Sequence, residues 1–166
     1  MNDPDSQSLA SIRYLNEIKP PADMLIPALI NALSNKDARV RIKVAELLGA
    51  YKKEAASAVP ALLAALKDED QMVRCFAAIS LGEIESKVDS VVDALYIALN
   101  DKKGNEHYVR AEAALAIAKI VGPNDREKIL ELDDKLREIA NDAVRAGMPF
   151  NFVNRTRILF QRLMGF

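Results

Sequence analysis

The chain has no tryptophan, one cysteine, one histidine and six glycines in 166 residues. Cys75 alone cannot close a disulfide within the chain or seed a thiolate metal cluster, so a reducing compartment suits it, and it is expected to be a small packed side chain. Neither sign of charge is in excess: 23 basic residues against 24 acidic ones leave a formal net charge of -1. No global field therefore recruits nucleic acid or an anionic membrane, and no nucleic-acid partner is expected. Long hydrophobic runs are missing too, and nothing approaches the roughly 20 apolar residues of a membrane span. The opening MNDPDSQSLASIRYLNEIKP carries two aspartates before any basic residue and no apolar stretch, which excludes a secretory signal and makes the cytoplasm the expected location. Aromatic residues make up only 5%, which disfavours a β-sandwich.

What the chain has is alanine, leucine and repetition. Half the residues are hydrophobic and 28% are charged, which suits one domain with a continuous core. MLIPALINAL aligns with SAVPALLAAL so that Pro27 falls on Pro60, 33 residues later. The same step carries Asp37 to Asp70, Val40 to Val73, Arg41 to Arg74, Ala45 to Ala78, Leu48 to Leu81 and Gly49 to Gly82. A third copy begins at SVVDALYIAL, with Asp93 in place of the proline and Leu95 and Leu99 in the apolar places. Its Val109-Arg110 arrives after 36 residues, so three residues have entered the loop NDKKGNEHY.

Apolar spacing within each copy is helical: Leu25, Leu29 and Leu33, then Val40, Val44, Leu47, Leu48 and Tyr51. Each copy is therefore a pair of helices joined by a short polar turn, SNKD or KDED, which makes the two antiparallel. Pro27 and Pro60 are expected in first helical turns, where a missing N–H costs nothing. The stretch SLASIRYLNEIKP places Leu15 on Leu48 and Ile18 on Tyr51, as a half repeat would. After Pro123, Ile129, Leu132, Leu136, Ile139 and Ala143 line one face of a helix that Gly147 stops. NFVNRTRILFQRLMGF suits one last helix.

The expectation is an all-α fold, an α-solenoid of helical-hairpin repeats with terminal capping helices, seven or eight helices in all. It forms a single domain over 1–166: a half-repeat cap at 1–23, full repeats at 24–55, 56–86 and 87–123, and capping helices at 124–166.

IPALINALSNKDARVRIKVAELLGAY and VPALLAALKDEDQMVRCFAAISLGEI resemble HEAT repeats of the short kind found in phycobilisome-lyase-like proteins, in their Pro-Ala-Leu, Leu-x-Asp, Val-Arg, Ala-Ala and Leu-Gly. The likeness is strongest over 24–122. It implies a structural ladder between neighbouring repeats, with Asp37, Asp70 and Glu106 as acids and Arg41, Arg74 and Arg110 as bases. Each of these pairs is also four residues apart, so a local contact at a helix start is an equally simple account.

Some proteins with such repeats are enzymes. Deoxyhypusine hydroxylase resembles this chain in its repeats but holds iron on His-Glu pairs just after Val-Arg, where this sequence has Ile42-Lys43, Cys75-Phe76 and Ala111-Glu112. One glutamate and no histidine cannot hold iron. His107 is read as a solvated side chain of the inserted loop. The alkylpurine DNA glycosylases of HEAT-like fold need basic and aromatic residues that this chain lacks. No phosphate-binding glycine loop, Ser-His-Asp set or metal-ligand cluster stands in the sequence, so no catalytic residue, metal or cofactor is expected.

The copies differ where a stripe of the second helices would face a groove. The first stripe reads Arg39, Lys43, Glu46 and Ala50, the second Met72, Phe76, Ile79 and Glu83, and the third Tyr108, Glu112, Leu115 and Lys119. Exposed, Met72, Phe76 and Ile79 would make an apolar spot with polar edges, where a partner helix or peptide docks with Phe76 as anchor. Alternatively Phe76 and Ile79 pack between repeats. A third arrangement folds the last helix across the spot through Phe152, Ile158, Leu159, Phe160, Leu163 and Phe166. With Arg155, Arg157 and Arg162 that helix also suits an acidic protein or an anionic membrane surface, or simply caps the stack. The expected function is a non-catalytic protein-binding scaffold that takes a protein or peptide partner. The alternative is a phycobilin-lyase-like or chaperone-like subunit acting on a partner protein.

Overall fold

The computed structural model describes residues 10–12, 14–15, 17–18, 20–100, 107–148, 158, 160–162 and 165. The described residues fall into two compact units that divide between Ser86 and Lys87. Among them are seven α-helices with defined ends and one 3-10 helix. Helical backbone also occurs within 10–18, where Ile12 is buried, and within 158–162, where Phe160 is buried and Ile158 and Arg162 are exposed.

The first unit contains α1 (Ala22–Ala32), α2 (Ala38–Ala50), the 3-10 helix (Lys52–Ala58), α3 (Val59–Ala65) and α4 (Gln71–Ile84). α1 packs on α2, α3 on α4, and the most extensive contact runs between the two second helices, α2 and α4. Val40, Val44, Leu47 and Leu48 of α2 and Val73, Ala77, Ala78, Leu81 and Ile84 of α4 are buried, on the faces that the 3.6-residue period assigns inward.

α2 and α4 come close because their contact residues are small. A methyl group on Gly49 would lie 2.7 Å from Ser80 Oγ and 3.1 Å from Ser80 Cα. Ser80 is fully buried, and its hydroxyl donates to the Ala45 carbonyl at 2.7 Å. The Leu-Gly of the repeat thus marks a close helix approach in the first copy.

Pro60 is the second residue of α3, inside the first turn as expected. Pro27 is not. α1 begins five residues earlier, at Ala22, so Pro27 lies within the helix and denies the Asp23 carbonyl its usual N–H partner. The residues one repeat later form the separate 3-10 segment instead. The α1 start is held by the N–H groups of Met24 and Leu25, which donate to the Pro21 carbonyl, and by Tyr51, whose hydroxyl donates to the Pro20 carbonyl at 2.6 Å.

The second unit contains α5 (Asp89–Asn100), α6 (His107–Val121) and α7 (Arg126–Arg145). α6 packs against both α5 and α7 and is buried along nearly its whole length, in keeping with HYVRAEAALAIAKIV, which is apolar or alanine on most sides. Ile129, Leu132, Leu136, Ile139 and Ala143 form the buried face of α7. That helix starts on Asp125, which accepts from the Lys128 N–H at 3.2 Å. It ends with Gly147 at φ 74°, where the Met148 N–H reaches back to the Ala143 carbonyl.

Lys52 and Glu85 both carry positive φ, 52° and 54°, and stand one 33-residue step apart, each just past a second helix. Left-handed backbone costs a residue with a Cβ more than it costs glycine. Lys52→Gly and Glu85→Gly should each raise the stability measured by urea unfolding by about 0.5 kcal/mol. Gly49→Ala should lower it by about 1–3 kcal/mol, because overpacking against Ser80 outweighs the better helix propensity of alanine.

Candidate functional site

Asp70 fixes the start of α4 by accepting from the N–H groups of Met72 and Val73 at 2.8 and 3.1 Å. Asp37 does the same for α2, accepting from the Arg39 N–H at 2.8 Å while its carboxylate also pairs with the Arg39 side chain. Those hydrogen bonds, the side-chain one foremost, hold the Asp37 carboxyl below its ordinary pKa. With the caps set, each helix turns a defined face outward. On α2, Arg39, Lys43, Glu46 and Ala50 are exposed; on α4, Met72 is exposed and Phe76, Ile79 and Glu83 are half-buried. Met72 is 41% exposed and no other large apolar side chain of α4 reaches that level. Lys43 and Glu46 pair across one turn at 2.6 Å.

α2 and α4 are packed neighbours in one unit, so the charged stripe and the apolar stripe lie on adjacent helices. The two helices run in the same direction: Arg41, near the start of α2, reaches Asp68 just before α4, and Gly49, near the end of α2, meets Ser80 near the end of α4. Tyr108, 37% exposed, and the half-buried Glu112 and Lys119 belong to the second unit, on α6. Leu115, expected in the open third stripe, is 5% exposed and part of the core instead.

The arginines of Val-Arg are clamps, buried at Arg41 and Arg110 and half-buried at Arg74. Arg41 donates through Nε and Nη2 to both carboxylate oxygens of Asp68, at 2.9 and 2.7 Å, and through Nη1 to the carbonyls of Asn35 and Lys36 at 2.9 and 3.2 Å. It thus closes the turn of its own hairpin and grips the turn of the next. Arg74 repeats the first half of this, donating to the carbonyls of Asp68 and Glu69 at 2.6 and 2.9 Å. In the second unit Arg110, 4% exposed, donates to the Leu99 carbonyl at 3.1 Å and pairs with Asp142 and Glu138 of α7 at 3.3 and 3.4 Å.

The acids of this ladder differ from those expected. Arg41 meets Asp68, whereas Asp37 and Asp70 cap helices; Glu106 lies outside the described residues. Asp68 is the aspartate of the repeat's Leu-x-Asp, a signal that marks the residue but not its role in the ladder. It stands one step after Asn35, and both side chains accept from the N–H of the capping aspartate two residues on, at 2.9 and 2.8 Å. Ser80 had a signal too, a polar residue where the first copy has Leu47. Glu138 and Asp142 had none.

His107 also departs from expectation. It is the first residue of α6 and is buried, and among the described residues its Nδ1 is without a hydrogen-bond partner. Cys75 is buried as expected. Of the last helix, Phe152, Arg155, Arg157, Leu159, Leu163 and Phe166 lie outside the described residues. No three His, Cys, Asp or Glu side chains among those described are placed to hold a metal ion, and no described helix is long and apolar enough to cross a membrane. An open depression of about 550 Å³ lined by Pro21, Asp23, Ile26, Pro27, Glu54 and Ser57 includes none of the expected site residues.

The fold and its surface define an all-α chain of packed helical hairpins of the solenoid class, with arginine clamps at the turns. The sequence profile of HEAT repeats matches residues 26–118 and, overlapping them, 59–147, and the chain belongs to the HEAT-repeat family. No curated protein matches it. HEAT repeats are commonly protein-interaction scaffolds and are generally non-catalytic.

Burial alone pushes the Asp68 carboxyl up, but the hydrogen bonds from Arg41 and from the Asp70 N–H, together with the charges of Arg41 and Arg74, outweigh it and leave the pKa below its ordinary 3.8. A carboxyl depressed by folding stabilises the native state above its unfolded pKa and loses that contribution as pH falls through the folded value. Asp68→Asn should cost about 1–2 kcal/mol at neutral pH. Between pH 4 and the acid-unfolding midpoint its stability should fall less steeply than that of the wild type, as urea unfolding at stepped pH will read.

Proposed function

We propose that the chain is a non-catalytic protein-binding scaffold of the cytoplasm, and that the second-helix face of α2 and α4 is where a protein or peptide docks. One domain of three repeats, 24–55, 56–86 and 87–123, between end caps at 1–23 and 124–166 presents this face. The observation that carries the reading is the strip of exposed Met72 and half-buried Phe76 and Ile79, large apolar side chains that still reach water on a helix whose inward positions are mostly small. Water is expelled from those three side chains on docking, Phe76 contributes most, and the flanking charges of Arg39, Lys43, Glu46 and Glu83 set the register. Tyr108 and Glu112 of α6 are proposed as partner-contacting residues of the second unit, taken by itself.

Capture experiments with the tagged chain test this. Met72→Glu and Phe76→Glu should abolish recovery of a partner that the wild type retains, with the circular dichroism spectrum and urea midpoint of Met72→Glu unchanged. Undiminished capture by both folded variants would remove this face from the reading. A visible chromophore copurifying with the captured protein would instead favour a lyase-like role.

A further inference from the structure

We infer that the face shared by α5 and the first half of α7 docks a basic amphipathic helix of another protein, independently of the α2–α4 face. Its two apolar points are Ile97, 71% exposed, and Leu130, 60% exposed, both more open than any large apolar side chain of α4. Both lie in the second unit. Arg110, near the start of α6, donates to the Leu99 carbonyl at the end of α5 and pairs with Asp142 near the end of α7. α6 therefore runs against both of these helices, and α5 and α7 run parallel. The Tyr96 hydroxyl of α5 donates to Glu131 Oε2 of α7 at 3.4 Å, which marks the facing sides of the two. One residue turns a helix by about 100°, and Ile97 follows Tyr96 whereas Leu130 precedes Glu131. On parallel helices these two steps swing both side chains to one side, opposite the buried Leu95 and Leu132.

The charge around this apolar pair is mostly of one sign. Asp93 lies one turn before Ile97, Glu127 and Asp134 lie one turn to either side of Leu130, and all three are exposed, as is Glu131. α5 holds Asp89 and Asp93 and no basic residue. On α7, Lys128, Lys135 and Arg137 are engaged locally, by Asp125, Glu138 and Asp133 at 3.6, 3.4 and 2.6 Å. Among the described residues Asp93, Glu127, Glu131 and Asp134 form no ion pair, and Arg126 at the α7 start stands against these four carboxylates. Burial first, and then Glu131 and Asp125, hold the Tyr96 hydroxyl above its ordinary pKa of 10.0, in keeping with a negative potential between the helices. Such a face repels the phosphates of nucleic acids and anionic lipids. A helix lying along the groove between α5 and α7 instead sets apolar residues at i, i+3 and i+4 against Ile97 and Leu130, and lysines or arginines on its flanks against the carboxylates.

The probe is a fluorescein-labelled synthetic helix of about 14 residues, with leucines at i, i+3, i+4 and i+7 and lysines elsewhere, titrated with the full chain and read by anisotropy. Its dissociation constant is expected on the order of 10 µM. The same peptide with glutamate in place of lysine should not bind. Ile97→Asn and Leu130→Asn, at positions open enough to leave the circular dichroism spectrum unchanged, should each weaken binding about 10-fold. The double variant Glu127→Lys/Asp134→Lys should weaken it by about as much and flatten its dependence on salt. Met72→Glu should bind like the wild type. Absence of saturable binding, equal binding of the glutamate peptide, or undiminished binding by Ile97→Asn and Leu130→Asn overturns the inference. Loss of binding in Met72→Glu also overturns it, since the peptide would then sit on the α2–α4 face, and the docking reading above would stand.

Discussion

Two hairpins in the first unit are held in register by the buried guanidinium of Arg41. The end of a first helix and the turn that follows leave backbone carbonyls without N–H donors for their lone pairs, and a solenoid buries part of that region against the next hairpin. A guanidinium has five N–H donors in a rigid fork, enough to satisfy two carbonyls with one edge and a carboxylate with the other. Arg41 spends its donors in that way on Asn35, Lys36 and Asp68. Its charge is permanent, so the acid is as necessary as the base: either one alone would be a half-buried, unpaired ion. Arg110 meets the same requirement in the second unit with acids from a helix, which shows that the demand lies in the arginine and the carbonyl and that the source of the carboxylate is free to vary.

With the clamp and the core satisfied on the inward sides, α4 inverts the ordinary pattern of a surface helix. Its buried positions hold Cys75, Ala77, Ala78, Ser80 and Gly82 alongside a few large residues, and its outward positions hold Met72, Phe76 and Ile79. Small inward residues follow from the close approach that Gly49 and Ser80 permit, because helices whose backbones nearly touch have no room for leucine at the contact. The equivalent positions of α2 are Lys43 and Glu46, which are exposed where Phe76 and Ile79 are half-buried.

Much of this was legible in the sequence, because the physics of a repeat is local. The 33-residue step located the hairpins, since each copy places apolar residues at the same phase of a 3.6-residue period. The buried face of α7 was readable without any repeat, because Ile129, Leu132, Leu136, Ile139 and Ala143 keep helical spacing among charges. What escaped were features decided between segments. Pro27 looked like a helix start by analogy with Pro60, but the chain before it is supported by Tyr51, a contact across 31 residues that no periodicity encodes. Asp68 and Asp70 are both acids of one turn, and only the position of Arg41 distinguishes the ladder acid from the cap. His107 was placed in a loop because three extra residues precede it, yet α6 begins on it and draws it inward. The exposure of Arg39, Lys43, Glu46 and Met72 was legible in position, whereas Phe76 and Ile79 are half-buried and Leu115 shows that the same register is closed on a helix as apolar as α6.

The single cysteine gives the first unit a built-in clock. At 4% exposure on the inward side of α4, the Cys75 sulfur is shielded from a thiol reagent as long as that helix stays seated. Its labelling rate under native conditions therefore reports how often α4 lifts from its neighbours, a motion that global unfolding curves average away. Slower labelling with a partner docked would signal association that braces the helix, read from the side facing away from the contact.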